Sequence, residues 1–291
     1  MPPEAGPIVI FAGSGRFPEL LADTLQRSGC ACRILAFRGF TDSSLRQRAD
    51  AVTDLLDVQR MIACLREWRP SAVTLAGGMQ RPKPSAVLSA FSILRNRREL
   101  AEIMSRGDDQ LLRGAVALIE EQGCPVVGVR DLAPELLASG GCQGVHSPDA
   151  EDLRAVRLGM RLLTDISAYD IGQATVAAGE RILAIEGPEG TDRMLGRVRG
   201  LRRSWSLKRP ARAGVLVKMP KRGQDLRIDL PAVGPRTFAR AAAAGLRGVA
   251  VASGVTLVLD REETVRIADR LGLFLVGVDG VDDAALRSEA A

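Results

Sequence analysis

The chain has 291 residues, 46% of them hydrophobic but only 3% aromatic, and it carries a formal net charge of +5 with a pI near 9.2. That length suits two domains, and that composition suits an α/β core of Val, Leu, Ile and Ala. The single histidine, His146, excludes zinc sites built on several histidines.

The positive balance points to an acidic partner such as a polyphosphate, a nucleic acid or an anionic membrane surface. The most basic run, Arg202 to Arg212, contains only one aromatic residue, Trp205. Base stacking on interleaved aromatics is therefore poorly served, and no nucleic-acid partner is expected. Cys30, Cys32, Cys64, Cys124 and Cys142 form no Cys-x-x-Cys pair and are expected to be reduced core residues in a cytoplasmic protein. The first residues, Met-Pro-Pro-Glu-Ala-Gly-Pro, lack the basic and apolar regions of a signal peptide, and no apolar run approaches the length of a membrane span.

In chain order, a buried strand is expected over residues 7–12, followed by the turn Gly13-Ser14-Gly15-Arg16-Phe17-Pro18 and a helix over 19–28. Strands at 32–37, 72–76 and 125–129 alternate with helices at 54–68, 86–104 and 109–121. Such alternation predicts a parallel sheet covered on both faces, a Rossmann-like first domain over 1–143. The Gly/Ser-rich stretch 139–148, which holds His146, reads as a linker. The second domain, 144–285, opens with a helix at 149–164 and strands at 174–178 and 182–186. A helix beginning near 189–192 follows, then strands at 214–218, 247–252, 256–259 and 273–278 with helices at 236–244 and 261–271.

Chemistry concentrates at the ends of these strands. Gly13, Ser14 and Gly15 form a turn that lets the backbone approach a phosphate, beside a helix start that offers amides. Gly77 and Gly78 follow the third strand on the same carboxyl edge, where ligands of open α/β sheets gather. The second strand ends in Phe37-Arg38-Gly39, with no acid to take a ribose, which disfavours NAD. Asp170-Ile171-Gly172-Gln173 is a turn before a strand, and in Glu189-Gly190-Thr191-Asp192 the last two residues suit either a helix cap or a phosphate and a metal.

The densest stretch runs from Val215 to Gly234. Arginine supplies generic charge in this chain, whose only lysines are Lys83, Lys208, Lys218 and Lys221. Lys218 and Lys221 therefore offer what lysine alone has, a compact point charge suited to phosphate, with Gln224 nearby. Asp229 follows Leu226-Arg227-Ile228 and is expected at a strand end, where a carboxylate can hold a metal or orient a water. With one histidine, that metal is a hard ion held by carboxylates such as Asp229 and Asp192, magnesium or manganese before zinc.

These motifs occur in one order: Gly107-Asp-Asp-x-Leu-Leu112, Asp170-Ile-Gly-Gln173, Glu189-Gly-Thr-Asp192 with Met194-Leu195, Lys218-x-Pro-Lys221, Asp229-Leu-Pro-x-x-Gly234 and Gly272-Leu-Phe-x-x-Gly277. Together they resemble the LpxI-type UDP-2,3-diacylglucosamine pyrophosphatases. The resemblance implies a Rossmann-like N-terminal domain, a family-specific α/β C-terminal domain and substrate held between them. It also implies magnesium dependence, a homodimer and a place in lipid A biosynthesis, with Asp229 matching the essential catalytic residue. The implied reaction is hydrolysis of the diphosphate to UMP and 2,3-diacylglucosamine 1-phosphate, with attack at the phosphorus nearer the sugar. A UDP-diacyl-sugar substrate would bring the cytoplasmic protein into peripheral contact with the inner membrane, and the apolar helices of residues 86–118 could meet its acyl chains. Two other readings remain open: a non-catalytic nucleotide-sugar or lipid-binding protein, and an NADP-dependent reductase with Arg38 on the ribose phosphate.

Overall fold

The computed structural model describes residues 6–78, 108–204 and 212–279. The helix expected at 86–104 and most of the basic run 202–212 lie outside them. The chain divides into two compact units. One comprises residues 1–134 together with Asp225–Asp229, and the other comprises Glu135–Gln224 with Leu230 onward.

In the first unit, β1 (Ile8–Ala12), β2 (Cys32–Phe37), β3 (Ala51–Thr53) and β4 (Ala72–Ala76) form a parallel sheet of order β3-β2-β1-β4. Their near-continuous apolar runs are what a sheet buried on both faces requires. Helices α1 (Phe17–Arg27), α2 (Ser43–Gln47) and α3 (Val58–Trp68) connect the strands. α3 starts four residues later than expected, because Asp57 is its N-cap and accepts the Arg60 amide at 3.0 Å. The short β3 was not legible, since three residues carry no period.

Helix α4 (Asp108–Glu121) comes next, and then a correction to the strand expected at 125–129. Only Val126 pairs, as a single parallel bridge to Val73, and the chain turns at once into α5 (Val129–Leu132). The core joins Val9, Phe11, Leu35, Phe37, Leu65, Val73 and Leu75 from the strands and α3 to Val116 and Ile119 of α4. Phe11 and Phe37 meet edge-on, with ring centroids 5.8 Å apart.

The second unit is built on a mixed sheet. It contains β5 (Gly141–Cys142), β6 (Ala174–Ala178), β7 (Arg181–Ile185), β8 (Val215–Lys218), β10 (Gly248–Ala252) and β12 (Phe274–Val278), in the order β5-β12-β10-β8-β6-β7. β8, β10 and β12 are parallel, while β6 runs antiparallel to both β8 and β7. The parallel strands β8, β10 and β12 present alternate residues to two faces. Val215, Val217, Ala250, Phe274 and Val276 pack on α6 (Ala150–Asp165) through Val156, Met160 and Leu163. Leu216, Val249, Val251 and Leu275 face α7 (Thr191–Ser204) and α8 (Pro235–Ala243) through Met194, Leu195 and Phe238. Burying Phe238 completely contributes roughly 2 kcal/mol relative to leaving it in water. A two-residue pair, β9 (Ala232–Val233) with β11 (Leu257–Val258), and helix α9 (Arg261–Arg270) complete the unit.

The stretch read as a linker is held in this unit. Its β5 pairs with β12, and Arg261 donates to Glu135 O, Leu137 O and the Gln143 side chain. Asp149 caps α6 in a reciprocal box with Asp152, and Arg247 donates to both carboxylates. Burial pushes the Asp152 carboxyl up, while the Asp152 amide holds the Asp149 carboxyl down. Among the described residues, no helix is long and apolar enough to cross a membrane.

Candidate functional site

Strand direction gathers several expected site residues at one edge of the second sheet. β8 ends at Lys218, which lies opposite Ala174 at the start of β6. β7 ends beside that same position, because Thr175 pairs with Ile185. The residues just outside these strands, Gln173 and Glu186, thus meet Lys218 and the first residue of α7, Thr191.

The contacts form a chain. Lys218 Nζ donates to Thr191 Oγ1 at 3.0 Å, and Thr191 Oγ1 donates to Glu186 Oε1 at 2.7 Å. The other carboxylate oxygen of Glu186 accepts the Gln173 amide at 2.9 Å, and Gln173 O accepts the Met219 amide at 3.1 Å. Lys218 is therefore held through its ammonium, and Gln173 through its backbone amide and carbonyl. Glu186 escaped sequence reading. Its one signal is an acid directly after the apolar run Ile182–Ile185 and before Gly187-Pro188.

Lys221 lies in the loop after β8. Its Nζ pairs with Asp170, which adopts a left-handed conformation at φ 53° and whose side chain is 59% exposed. Such an exposed pair contributes less than about 1 kcal/mol, so a phosphate could displace Asp170 at little cost. Gln224 braces this loop: its Oε1 accepts the Lys221 amide at 2.9 Å. Asp192 accepts from Arg236 at 2.9 Å and lies 3.1 Å from Arg240 Nε. The two guanidiniums fasten the first turn of α7 to α8, both through Asp192 Oδ2.

In the first unit, Gly13 and Ser14 run against Gly77 and Gly78. The Gly13 amide donates to Ala76 O at 2.7 Å, the Ser14 amide to Gly78 O at 2.8 Å, and the Gly78 amide to Ser14 O at 2.9 Å. Ser14 Oγ also donates to Gly78 O at 2.8 Å. A Cβ on Gly13 would stand 2.6 Å from Gly78 O, and one on Gly77, at φ +90°, 2.5 Å from Ser14 O. Both positions need glycine for this close approach. The Gly13 and Ser14 amides are thus engaged within the unit, and the side of the turn open to a ligand is Gly15 at φ +90°. Arg38 Nε bonds Asp54 at 3.1 Å, in an exposed pair.

Asp229 is not at a strand end, a second correction. Leu226–Ile228 form a turn in which the Ile228 and Asp229 amides donate to Asp225 O at 3.1 and 3.2 Å. Ile228 packs on the core of the first unit. Arg227 forks onto Asp225, with Nη2 at 2.7 Å and Nε at 3.0 Å, and its Nη1 reaches Glu120 at 2.9 Å. The Arg227 hydrogen bonds hold the Asp225 carboxyl below the usual carboxylate range. Asp225, Arg227 and Glu120 were all missed. An acid two residues before a base hints at the fork, but nothing local in sequence points to Glu120.

Residues 7–136 match the family described as the LpxI N-terminal domain, and residues 139–276 match the LpxI C-terminal domain. The chain belongs to the LpxI family. It is 35% identical over 270 residues to the UDP-2,3-diacylglucosamine pyrophosphatase LpxI of Caulobacter vibrioides, which spans 93% of this chain and 96% of that protein. The two LpxI domains meet within residues 136–139, close to the division of the compact units at Pro134 and Glu135. Asp229 lies within the LpxI C-terminal match by sequence, yet it packs with the first unit.

The remaining candidates of this LpxI chain have structural partners. His146 Nε2 meets Asp269 O at 3.1 Å while the Val145 amide donates to Asp269 Oδ1 at 2.9 Å, so the ring fastens its stretch to the end of α9. All five cysteines are free thiols, but only Cys64 and Cys124 are buried; Cys30 and Cys142 are exposed, against the expectation of core residues. Among the described residues, no group of three or more His, Cys, Asp or Glu side chains is placed to hold a metal ion.

Proposed function

We propose that this LpxI protein hydrolyses the diphosphate of UDP-2,3-diacylglucosamine, releasing UMP and 2,3-diacylglucosamine 1-phosphate in lipid A biosynthesis. The observation that carries this reading is its end-to-end likeness to the Caulobacter vibrioides pyrophosphatase, through both LpxI domains. Diphosphate hydrolysis demands charge neutralisation at phosphate oxygens and a positioned water more than covalent chemistry. Lys218 and Lys221, on a braced strand end and loop, suit the first task. Asp229, on a turn fastened by Arg227, suits the second. Gln173 and Gln224 hold the backbone around the lysines, and the Gly13–Gly15 turn with Gly77 is assigned to the nucleotide.

Magnesium, with manganese as substitute, belongs to this reading. Such an ion would be held by one carboxylate, substrate phosphates and water. Asp229 would supply that carboxylate, and the ion would withdraw negative charge from the diphosphate. A homodimer and a peripheral contact with the inner membrane complete the reading, the latter because the substrate is diacylated.

Purified protein supplied with substrate and magnesium should release UMP, where a non-catalytic binder would release none. Excess chelator should abolish turnover, magnesium or manganese should restore it, and zinc should restore it poorly. Undiminished turnover after exhaustive chelation would leave the lysines as the charge stabilisers and remove the metal from the reading.

A further inference from the structure

A hydroxyl group has one proton and two lone pairs. The Thr191 proton is directed to Glu186 Oε1 at 2.7 Å, so toward Lys218 Nζ, 3.0 Å away, Thr191 is an acceptor. Glu186 is only 8% exposed, and its second oxygen is engaged by the Gln173 amide. A carboxylate in such a place is costly unless it is fully hydrogen-bonded, and here both oxygens are. We infer that Glu186 is a positioning residue of the diphosphate site: it fixes the Thr191 hydroxyl as an acceptor and thereby holds the Lys218 ammonium in place. The inference rests on the function proposed above. It also revises Thr191, whose proton is committed to Glu186 and not offered to a phosphate.

Glutamine tests this because its amide cannot reproduce both contacts. Turned to accept from Thr191, it presents an NH2 to the Gln173 amide; turned to accept from Gln173, it donates to Thr191 and reverses the hydroxyl. Glu186→Gln should lower kcat/KM by about tenfold or more, the scale of a lost hydrogen bond in a charged network. In a Lys218→Ala background the same change should cost nothing further, since its effect passes through Lys218. Thr191→Val should reproduce the loss, and Thr191→Ser should retain most activity. Equal losses in both backgrounds, or no loss with Lys218 present, would overturn the inference.

Two arms keep the outcome decisive. If Glu186→Gln fails to fold, as judged by thermal unfolding, the Thr191→Val and Thr191→Ser pair carries the cycle. If the wild type releases no UMP, the proposed function fails separately, and the link is read by NMR of 13Cε-labelled lysine. The chain offers only Lys83, Lys208, Lys218 and Lys221, so Lys218 is assigned from Lys218→Ala. Its signal should move in Glu186→Gln and Thr191→Val but hold in Thr191→Ser, and an unmoved signal in the first two would overturn the link.

Discussion

Asp229→Asn is expected to leave the protein folded while lowering turnover by on the order of a thousandfold or more. The substitution keeps the shape of the side chain and removes its charge. The turn that presents it is made by backbone bonds to Asp225 O and by the Arg227 fork, none of which involves the Asp229 carboxylate. Because asparagine is isosteric with aspartate, thermal unfolding should stay close to wild type, and substrate affinity should change far less than kcat. A carboxylate that orients water or holds a metal contributes mainly in the transition state, so kcat carries the loss. Turnover near the wild-type rate would remove Asp229 from the mechanism.

Lys218→Ala is expected to lower kcat/KM by roughly a hundredfold, because it deletes a charge from a strand end where solvent screens it incompletely. Lys221→Ala should cost less, since Lys221 sits on a loop beside an exposed carboxylate that already competes for it. Lys218→Arg should rescue poorly. The half-buried ammonium donates to Thr191 Oγ1 at 3.0 Å, and a planar guanidinium spreads its charge and needs more room. Full rescue by arginine would make Lys218 a generic surface charge. Steady-state kinetics across the three variants decides the matter.

The alternation of strands and helices was legible because apolar runs and periods survive without any tertiary context. β6, β7, β8, β10 and β12 emerge within a residue or so of the expected bounds. The failures share a cause. The Pro125–Val129 run looks like a strand, yet only Val126 finds a neighbour, on β4, and pairing is not a property of the run itself. Leu226-Arg227-Ile228 alternates as a strand would, but Asp225 and Arg227 close it into a turn. Lys218 and Lys221 stood out by composition against so much arginine. Glu186 and Glu120 did not, because their meaning comes from partners 5 and 107 positions away. The two arginines on Asp192, 44 and 48 positions away, are likewise visible only in the fold.

Hydrolysis of the UDP-2,3-diacylglucosamine diphosphate is read from its products and from the oxygen that each acquires. Purified protein is incubated with that substrate and magnesium in heavy-oxygen water, and the products are weighed by mass spectrometry. UMP and 2,3-diacylglucosamine 1-phosphate should appear in equal amounts, with the label in the sugar phosphate and none in UMP. That pattern follows from water attacking the phosphorus nearer the sugar while UMP departs. Label in UMP would reverse the attacked side, and substrate recovered intact would rule out hydrolysis by this protein.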